Sequence, residues 1–160
     1  MKRTDLERLF SYADPFDFGV TLFEIALPTV ERRGIEELSR WERAGFCIYP
    51  LDAEVLNGGF DQFFFNPSAD YASETLAALE DVGAHRVAEL LRQGMALFPS
   101  GRPANDHEAR QAQMDVFADA EEQVFAELDD QYYELMETPE APLVKLREYV
   151  LLHKDAFNAQ

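Results

Sequence analysis

The sequence lacks most of the residues and motifs that identify a known chemistry. Only one of its 160 residues, Cys47, is a cysteine, so the chain can form no internal disulfide. Because Cys47 lies between Phe46 and Ile48, we expect a buried apolar residue and not a nucleophile. The phosphate-binding glycine loops, the HExxH pair and the GxSxG motif are all missing. We therefore predict no catalytic residues and no cofactor.

Histidine is also scarce. His85, His107 and His153 are far apart in the sequence, and none has a metal-ligand spacing to another histidine or to the cysteine. We expect solvated side chains near helix ends and no metal site.

Long hydrophobic runs are missing as well. No window approaches the 18 uncharged apolar residues of a membrane span, and the acidic start of the chain does not resemble a signal peptide. We therefore expect a cytoplasmic protein without membrane contact. An apolar content of 47% is enough for one folded domain over residues 1–160.

Basic residues are few. The chain has 14 lysines and arginines against 31 acids, which gives a formal net charge of −17. Such a charge disfavours direct binding to nucleic acid and favours a basic protein as partner.

The acidity is concentrated in one segment. Residues 104–140 contain 12 acids and one base, Arg110, and carry −11 of the total charge. Wound as a helix, this segment has an apolar stripe and an opposite acidic face. Acids at i and i+4 are about 5–6 Å apart, similar to successive phosphates of a DNA strand. We predict that a partner binds this face through Asp115, Asp119, Glu122, Asp129, Asp130, Glu134 and Glu137.

Apolar residues recur at helical spacing along the chain, and no stretch alternates long enough for a strand. We predict an all-α fold of about seven or eight helices. A turn is expected at 14–19, a short helix at 20–26 stopped by Pro28, and a capping pair of Asn105 with Glu108. The other predicted helices cover residues 4–12, 35–49, 69–81, 84–98 and 108–136, and a last helix begins at Pro139 or Pro142. At Pro50, we expect either a kink in the helix or the start of a new one.

Residues 51–66 place two glycines beside four phenylalanines. Gly58 or Gly59 should take a positive φ and redirect the chain. The expected core is Trp41, Phe60, Phe63, Phe64, Leu76, Leu79, Val87, Leu91, Phe117, Leu128 and Leu146. A binding pocket lined by Asp61, Gln62 and Asn66 is the alternative use of this stretch.

The string at 57–66, Asn-Gly-Gly-Phe-Asp-Gln-Phe-Phe-Phe-Asn, resembles the signature of an uncharacterised bacterial family of all-helical proteins. The similarity continues through residues 76–84 and 95–99. One member of that family is described as a DNA mimic, an acidic protein that occupies the DNA-binding surface of a basic regulator. The resemblance thus implies a helical fold and a mimic-like activity, while the matching residues belong to the core and the turn.

Three functions are compatible with these observations. The first is an acidic protein-binding module that sequesters a basic DNA-binding protein through the 104–140 face. The second is an immunity or antitoxin protein that inhibits a basic nuclease by the same electrostatics. The third is a hydrolase that uses residues 57–66. The oligomeric state stays open, with a homodimer as one alternative.

Overall fold

Seven α-helices build the part of the protein that the structure describes. The computed structural model describes residues 3–154, and it describes the side chains of residues 5–116 and 124–154. No strand occurs among these residues, and α3 consists of two stretches separated by a break, so the all-α fold of seven or eight helices is confirmed. The helices are α1 (Arg3–Ser11), α2 (Pro15–Arg33), α3 (Arg40–Phe65), α4 (Ala72–Asp81), α5 (His85–Ala96), α6 (His107–Leu135) and α7 (Pro142–Leu152).

The predicted turn at 14–19 is wrong, because these residues form the start of helix α2. The Asp14 side chain caps the helix by accepting hydrogen bonds from the backbone N–H groups of Phe16 and Asp17. Pro15 occupies the first turn, where its missing N–H costs nothing. Gly19 lies inside the helix, and a Cβ there would meet the Leu143 side chain at 2.9 Å. The turn-forming residues thus begin a helix, and the glycine lets α7 approach it.

The predicted end of this helix at Pro28 is also wrong. Helix α2 continues through Pro28 to Arg33 and ends at Gly34, which has a φ of 94°. Phe18, Leu22 and Ala26 are fully buried on its inner face. Burial of this face outweighs the backbone hydrogen bond that the proline removes.

Helix α3 is the central element and packs against α2, α4, α6 and α7. It begins at a capping box formed by Ser39 and Glu42, and Pro50 lies within it at helical φ and ψ. Its backbone departs from helical geometry only at Gly58 and Gly59, where Gly59 has a φ of 77°. The predicted positive φ in this pair is confirmed. We call these two residues the α3 break.

Helices α4 and α5 pack against each other across the short connection that the sequence predicts. Gly83 has a φ of 79°. Its N–H donates to the carbonyl of Glu80 at 3.1 Å, and the Ala84 N–H donates to Leu79 at 2.9 Å. These two bonds form a Schellman motif, which satisfies the last carbonyls of α4.

Helix α6 is continuous from His107 to Leu135. Its cap is Asp106, whose carboxylate accepts from the Ala109 N–H, so the predicted Asn105–Glu108 pair is wrong by one residue. Of the two prolines proposed to begin the last helix, Pro142 does so.

Aromatic rings fill the centre of the molecule. Phe60, Phe63 and Phe64 are fully buried, as predicted. Trp41 and Leu76 are only partly buried, and the Phe117 side chain is outside the described ones. The remaining predicted core residues, Leu79, Val87, Leu91, Leu128 and Leu146, are all buried.

Replacement of Phe64 by alanine should destabilise the protein by about 3–5 kcal/mol. The Phe64 ring contacts those of Phe63, Phe98 and Phe125, with centroid distances of 5.2, 4.9 and 5.7 Å. Its neighbour Phe65 is 51% exposed, so Phe65→Ala is the matched control and should cost less than about 1 kcal/mol. Urea denaturation measures both losses. Equal losses would show that the Phe64 ring is not enclosed.

Candidate functional site

The α3 break leaves backbone groups that need partners, and Asp129 on α6 supplies one. Its Oδ1 accepts a hydrogen bond from the Phe60 N–H at 2.7 Å, across 69 residues of sequence. A Cβ on Gly59 would lie 2.1 Å from the other carboxylate oxygen of Asp129. Gly59 therefore serves two purposes, since it adopts the positive φ and leaves room for this carboxylate.

Tyr133 makes a second contact to the same region. Its hydroxyl donates to the carbonyl of Val55 at 3.1 Å, in the turn that precedes the break. Asp129 and Tyr133 are four residues apart on α6 and therefore lie on neighbouring turns. One edge of α6 thus caps both sides of the α3 break.

Arg110 holds the far end of α3. Its side chain is fully buried, and its guanidinium donates to the carbonyls of Phe64 at 2.7 Å and Asn66 at 2.8 Å. It also pairs with Asp70 at 2.7 Å and donates to the carbonyl of Ala104 at 2.7 Å. A cation beside the last carbonyls of a helix is favoured by the helix dipole.

The sequence analysis above names Arg110 only as the one base of residues 104–140, and its role at the end of α3 was not predicted. One signal could have found its role. Arg110 stands four residues before Met114, and both fall on the buried face of α6. A charged residue at a core position must have internal partners, because an unpaired buried charge is too costly.

The polar residues of the 57–66 string meet one another and Glu54. The Glu54 carboxylate accepts from Gln62 at 2.5 Å, Asn66 at 2.8 Å and Ser68 at 3.3 Å. Asn57 donates to the side-chain oxygen of Gln62 at 2.9 Å. Gln62 and Asn66, proposed above as pocket residues, therefore tie the two stretches of α3 together across the break.

A buried polar pair also joins α3 to α6. The Tyr132 hydroxyl donates to Asp52 Oδ1 at 2.7 Å, and both side chains are buried. Burial raises the pKa of Asp52, while the bond from Tyr132 acts in the opposite direction. Burial also raises the pKa of Tyr132 well above its ordinary value.

The outward face of α6 carries the predicted acids. Asp115, Asp130, Glu134 and Glu137 are exposed, and we call these four the exposed row. Asp119 and Glu122 lie among the residues whose side chains the structure does not describe.

Asp129 does not lie on the outward face, where the sequence analysis placed it. Its half-buried carboxylate is turned toward α3, where it accepts from the Phe60 N–H. Burial raises the pKa of this carboxyl group.

The electrostatics of this face are set by what lies beneath it. The only base of residues 104–140, Arg110, is buried and paired with Asp70, so its charge is absent from the surface. Glu140 is compensated by Lys145 of α7 at 3.4 Å. A helix of this length, 29 residues, extends for about 43 Å. Such a length corresponds to about 13 base pairs of B-DNA.

Other chemistry is sparse in the described part of the chain. Cys47 is buried, and burial raises the pKa of its thiol to about 12. The thiol is therefore protonated at neutral pH, which confirms the expected apolar role. Residues 5–116 and 124–154 contain no cluster of histidine, cysteine and acidic side chains that could hold a metal ion. None of the described helices is long and apolar enough to cross a membrane.

Fold and surface together define an acidic all-helical protein whose longest helix carries acids outward and capping groups inward. The family model described as DMP19-like protein matches residues 36–153, and the chain belongs to this family. The match includes α3 with its break and all of α4 to α6. No curated protein and no solved structure shows a significant match to the chain.

Replacing Gly59 by alanine should destabilise the protein more than replacing Gly83 by alanine. Both glycines have a positive φ, near 77° and 79°, which costs alanine about 1–2 kcal/mol. A Cβ at Gly83 meets nothing within 4 Å, whereas at Gly59 it would displace the Asp129 carboxylate. Gly59 also combines its φ with a ψ of −177°, a region used almost only by glycine. Urea denaturation of both variants measures the difference, and equal losses would contradict the capping role of Asp129.

Replacing Asp52 by asparagine should make stability less dependent on pH. Because the folded-state pKa of Asp52 is raised, its contribution is fully present below the unfolded value of about 3.9 and is lost as pH rises through the raised pKa. The difference in free energy of unfolding, variant minus wild type, should therefore grow upward from about pH 4 and then level off.

Urea denaturation at several pH values measures this difference. The control is Asp115→Asn, which removes one charge from an exposed position. A difference for Asp52→Asn that falls with rising pH would show that Asp52 is stabilised as a carboxylate in the folded protein.

Proposed function

We propose that the protein is a DNA-mimic-type module that binds a basic DNA-binding protein through the outward face of α6 and excludes DNA from it. The observation that carries this proposal is the exposed row. Asp115, Asp130, Glu134 and Glu137 face solvent from one helix and its C-terminal turn, and the only base of the segment is inside the protein.

The spacing of these carboxylates supports a mimic of the phosphate backbone. Asp130 and Glu134 are one helical turn apart, and Glu137 follows three residues later. Asp130 and Glu134, at i and i+4 of α6, lie about 5–6 Å apart, close to the separation of phosphates along a strand. A basic groove that binds DNA can therefore meet several of these carboxylates at once. Membership in the DMP19-like family agrees with the resemblance described above.

The fold supports the proposal by fixing the face that α6 presents. Arg110, Tyr132 and Leu128 are buried on the inner side. Because these contacts set the rotation of α6 about its axis, the exposed row cannot turn inward. A cytoplasmic location is part of this proposal, since DNA-binding proteins act there.

Charge reversal of the exposed row should strongly weaken partner binding without unfolding the protein. The variant combines Asp115→Lys, Asp130→Lys and Glu134→Lys. The matched control combines Glu31→Lys, Glu37→Lys and Glu148→Lys, three exposed acids of other elements, and changes the net charge equally. Asp14 is unsuitable as a control position, because it caps α2.

The measurement has two stages. Wild-type protein captures its partner from a lysate at low salt, and the captured protein is identified. Displacement of a labelled DNA duplex from that partner is then measured at about 50 mM and about 200 mM salt. Wild type and control should compete equally, the row variant should be weaker on the order of tenfold or more, and salt should weaken competition. Equal competition by all three proteins, or indifference to salt, would refute the proposal. A nuclease as the captured protein would assign the same surface to nuclease inhibition.

A further inference from the structure

Two large apolar side chains are exposed near the C-terminal part of the exposed row, which consists of Asp130, Glu134 and Glu137. Leu56 on α3 is 48% exposed, and Tyr133 on α6 is 42% exposed. The Tyr133 hydroxyl donates to the carbonyl of Val55, the residue before Leu56, so Tyr133 reaches the turn of α3 that carries Leu56. That hydrogen bond also fixes the tyrosine side chain. The seam between α3 and α6 thus presents a small, ordered apolar patch, which we call the seam patch.

Acids surround the seam patch on the α6 side. Asp130 precedes Tyr133 by three residues and is its neighbour on the helix surface, and Glu137 is exposed in the turn that follows α6. Glu134 is adjacent in sequence and exposed. Besides burial, the nearby charges of Asp129 and Asp130 raise the pKa of the Tyr133 hydroxyl. The seam patch therefore adjoins the C-terminal acids of the exposed row.

We propose that the seam patch is the apolar centre of the partner-binding surface, and that its occupant is a basic amphipathic helix. Such a helix would place an apolar side chain on Leu56 and Tyr133 and lysines or arginines on Asp130, Glu134 and Glu137. This inference rests on the proposed function and names the kind of element that the partner contributes.

Physical chemistry favours a mixed surface of this kind over charge alone. Exposed ion pairs contribute about 0–1 kcal/mol each and are screened by salt. Binding energy at interfaces comes mainly from a few buried anchors, with tyrosine among the most frequent, surrounded by a polar rim. An apolar stripe at helical spacing docks into such a patch, and recognition helices of many DNA-binding proteins are basic.

A second copy of this chain is a poor occupant. In a symmetric dimer the same patch meets itself, so the acids flanking one seam patch would face those of the other. The net charge of −17 adds to this repulsion. Charge complementarity therefore selects a basic partner for the seam patch.

Two synthetic probes separate the contribution of the patch from that of the charges. Both are helical peptides of about 20 residues with the same number and positions of lysines. The first carries leucines along one face, and the second carries glutamines in their place. Fluorescence anisotropy measures their affinities for wild type, for Leu56→Ser and for the double variant Asp130→Lys, Glu134→Lys. Leu152→Ser is the matched control, because Leu152 is 81% exposed at the end of α7.

Wild type should bind the leucine peptide about tenfold more tightly than the glutamine peptide. Leu56→Ser should remove most of that preference and leave the affinity for the glutamine peptide unchanged, whereas Leu152→Ser should alter neither. The double variant should lose affinity for both peptides. If Leu56→Ser keeps the full preference while the double variant still weakens binding, the seam patch is not the anchor and the proposed function stands. If the double variant and salt have no effect on either peptide, the electrostatic basis of the proposed function fails.

Discussion

The break in α3 is the constraint on which the rest of the structure depends. A central helix that stops and restarts inside a core leaves N–H and carbonyl groups without intrahelical partners, and buried groups of this kind must be satisfied. Helix α6 supplies partners for two of them, because Asp129 accepts from the Phe60 N–H and Tyr133 donates to the carbonyl of Val55. At the far end of α3, Arg110 donates to the carbonyls of Phe64 and Asn66. These bonds fix both the register and the rotation of α6 against α3. The outward face of α6 is thereby fixed as well.

The sequence predicts the apolar part of this arrangement and misses the polar part. Phe60, Phe63 and Phe64 are buried as predicted, because their spacing and size report burial directly. Asp129 has its partner 69 residues away, and no local pattern shows which acid of a charged segment turns inward. The spacing of Arg110 to Met114 indicates that Arg110 is buried, but its partner Phe64, 46 residues away, cannot be found from that spacing. Prolines and glycines misled the prediction of α2 for a related reason. Asp14 and Pro15 suit a turn as well as a helix start, and packing against α3 and α7 supports a helix that includes Gly19.

The candidate site was predicted in outline. The acidic face at 104–140 follows from composition and helical spacing, and four of its seven named acids, Asp115, Asp130, Glu134 and Glu137, form the exposed row. The seam patch could not be predicted, because Leu56 and Tyr133 are 77 residues apart in sequence and meet only through the packing of α3 against α6. Helical spacing also does not show that the Tyr133 hydroxyl donates to the carbonyl of Val55 on another helix.

Repulsion among the carboxylates of the exposed row destabilises the fold by less than the burial of apolar side chains beneath them stabilises it. Like charges one turn apart destabilise a helix by a few tenths of a kcal/mol per pair, or about 0.2–0.5 kcal/mol. Burying an inward side chain such as Phe125, Leu128 or Leu135 contributes about 1.5–3 kcal/mol each. The row is therefore stable before any partner arrives, and its carboxylates are held in place by a folded helix. A disordered acidic tail would lose part of its electrostatic attraction to ordering on binding, whereas the folded surface would keep it in the proposed complex.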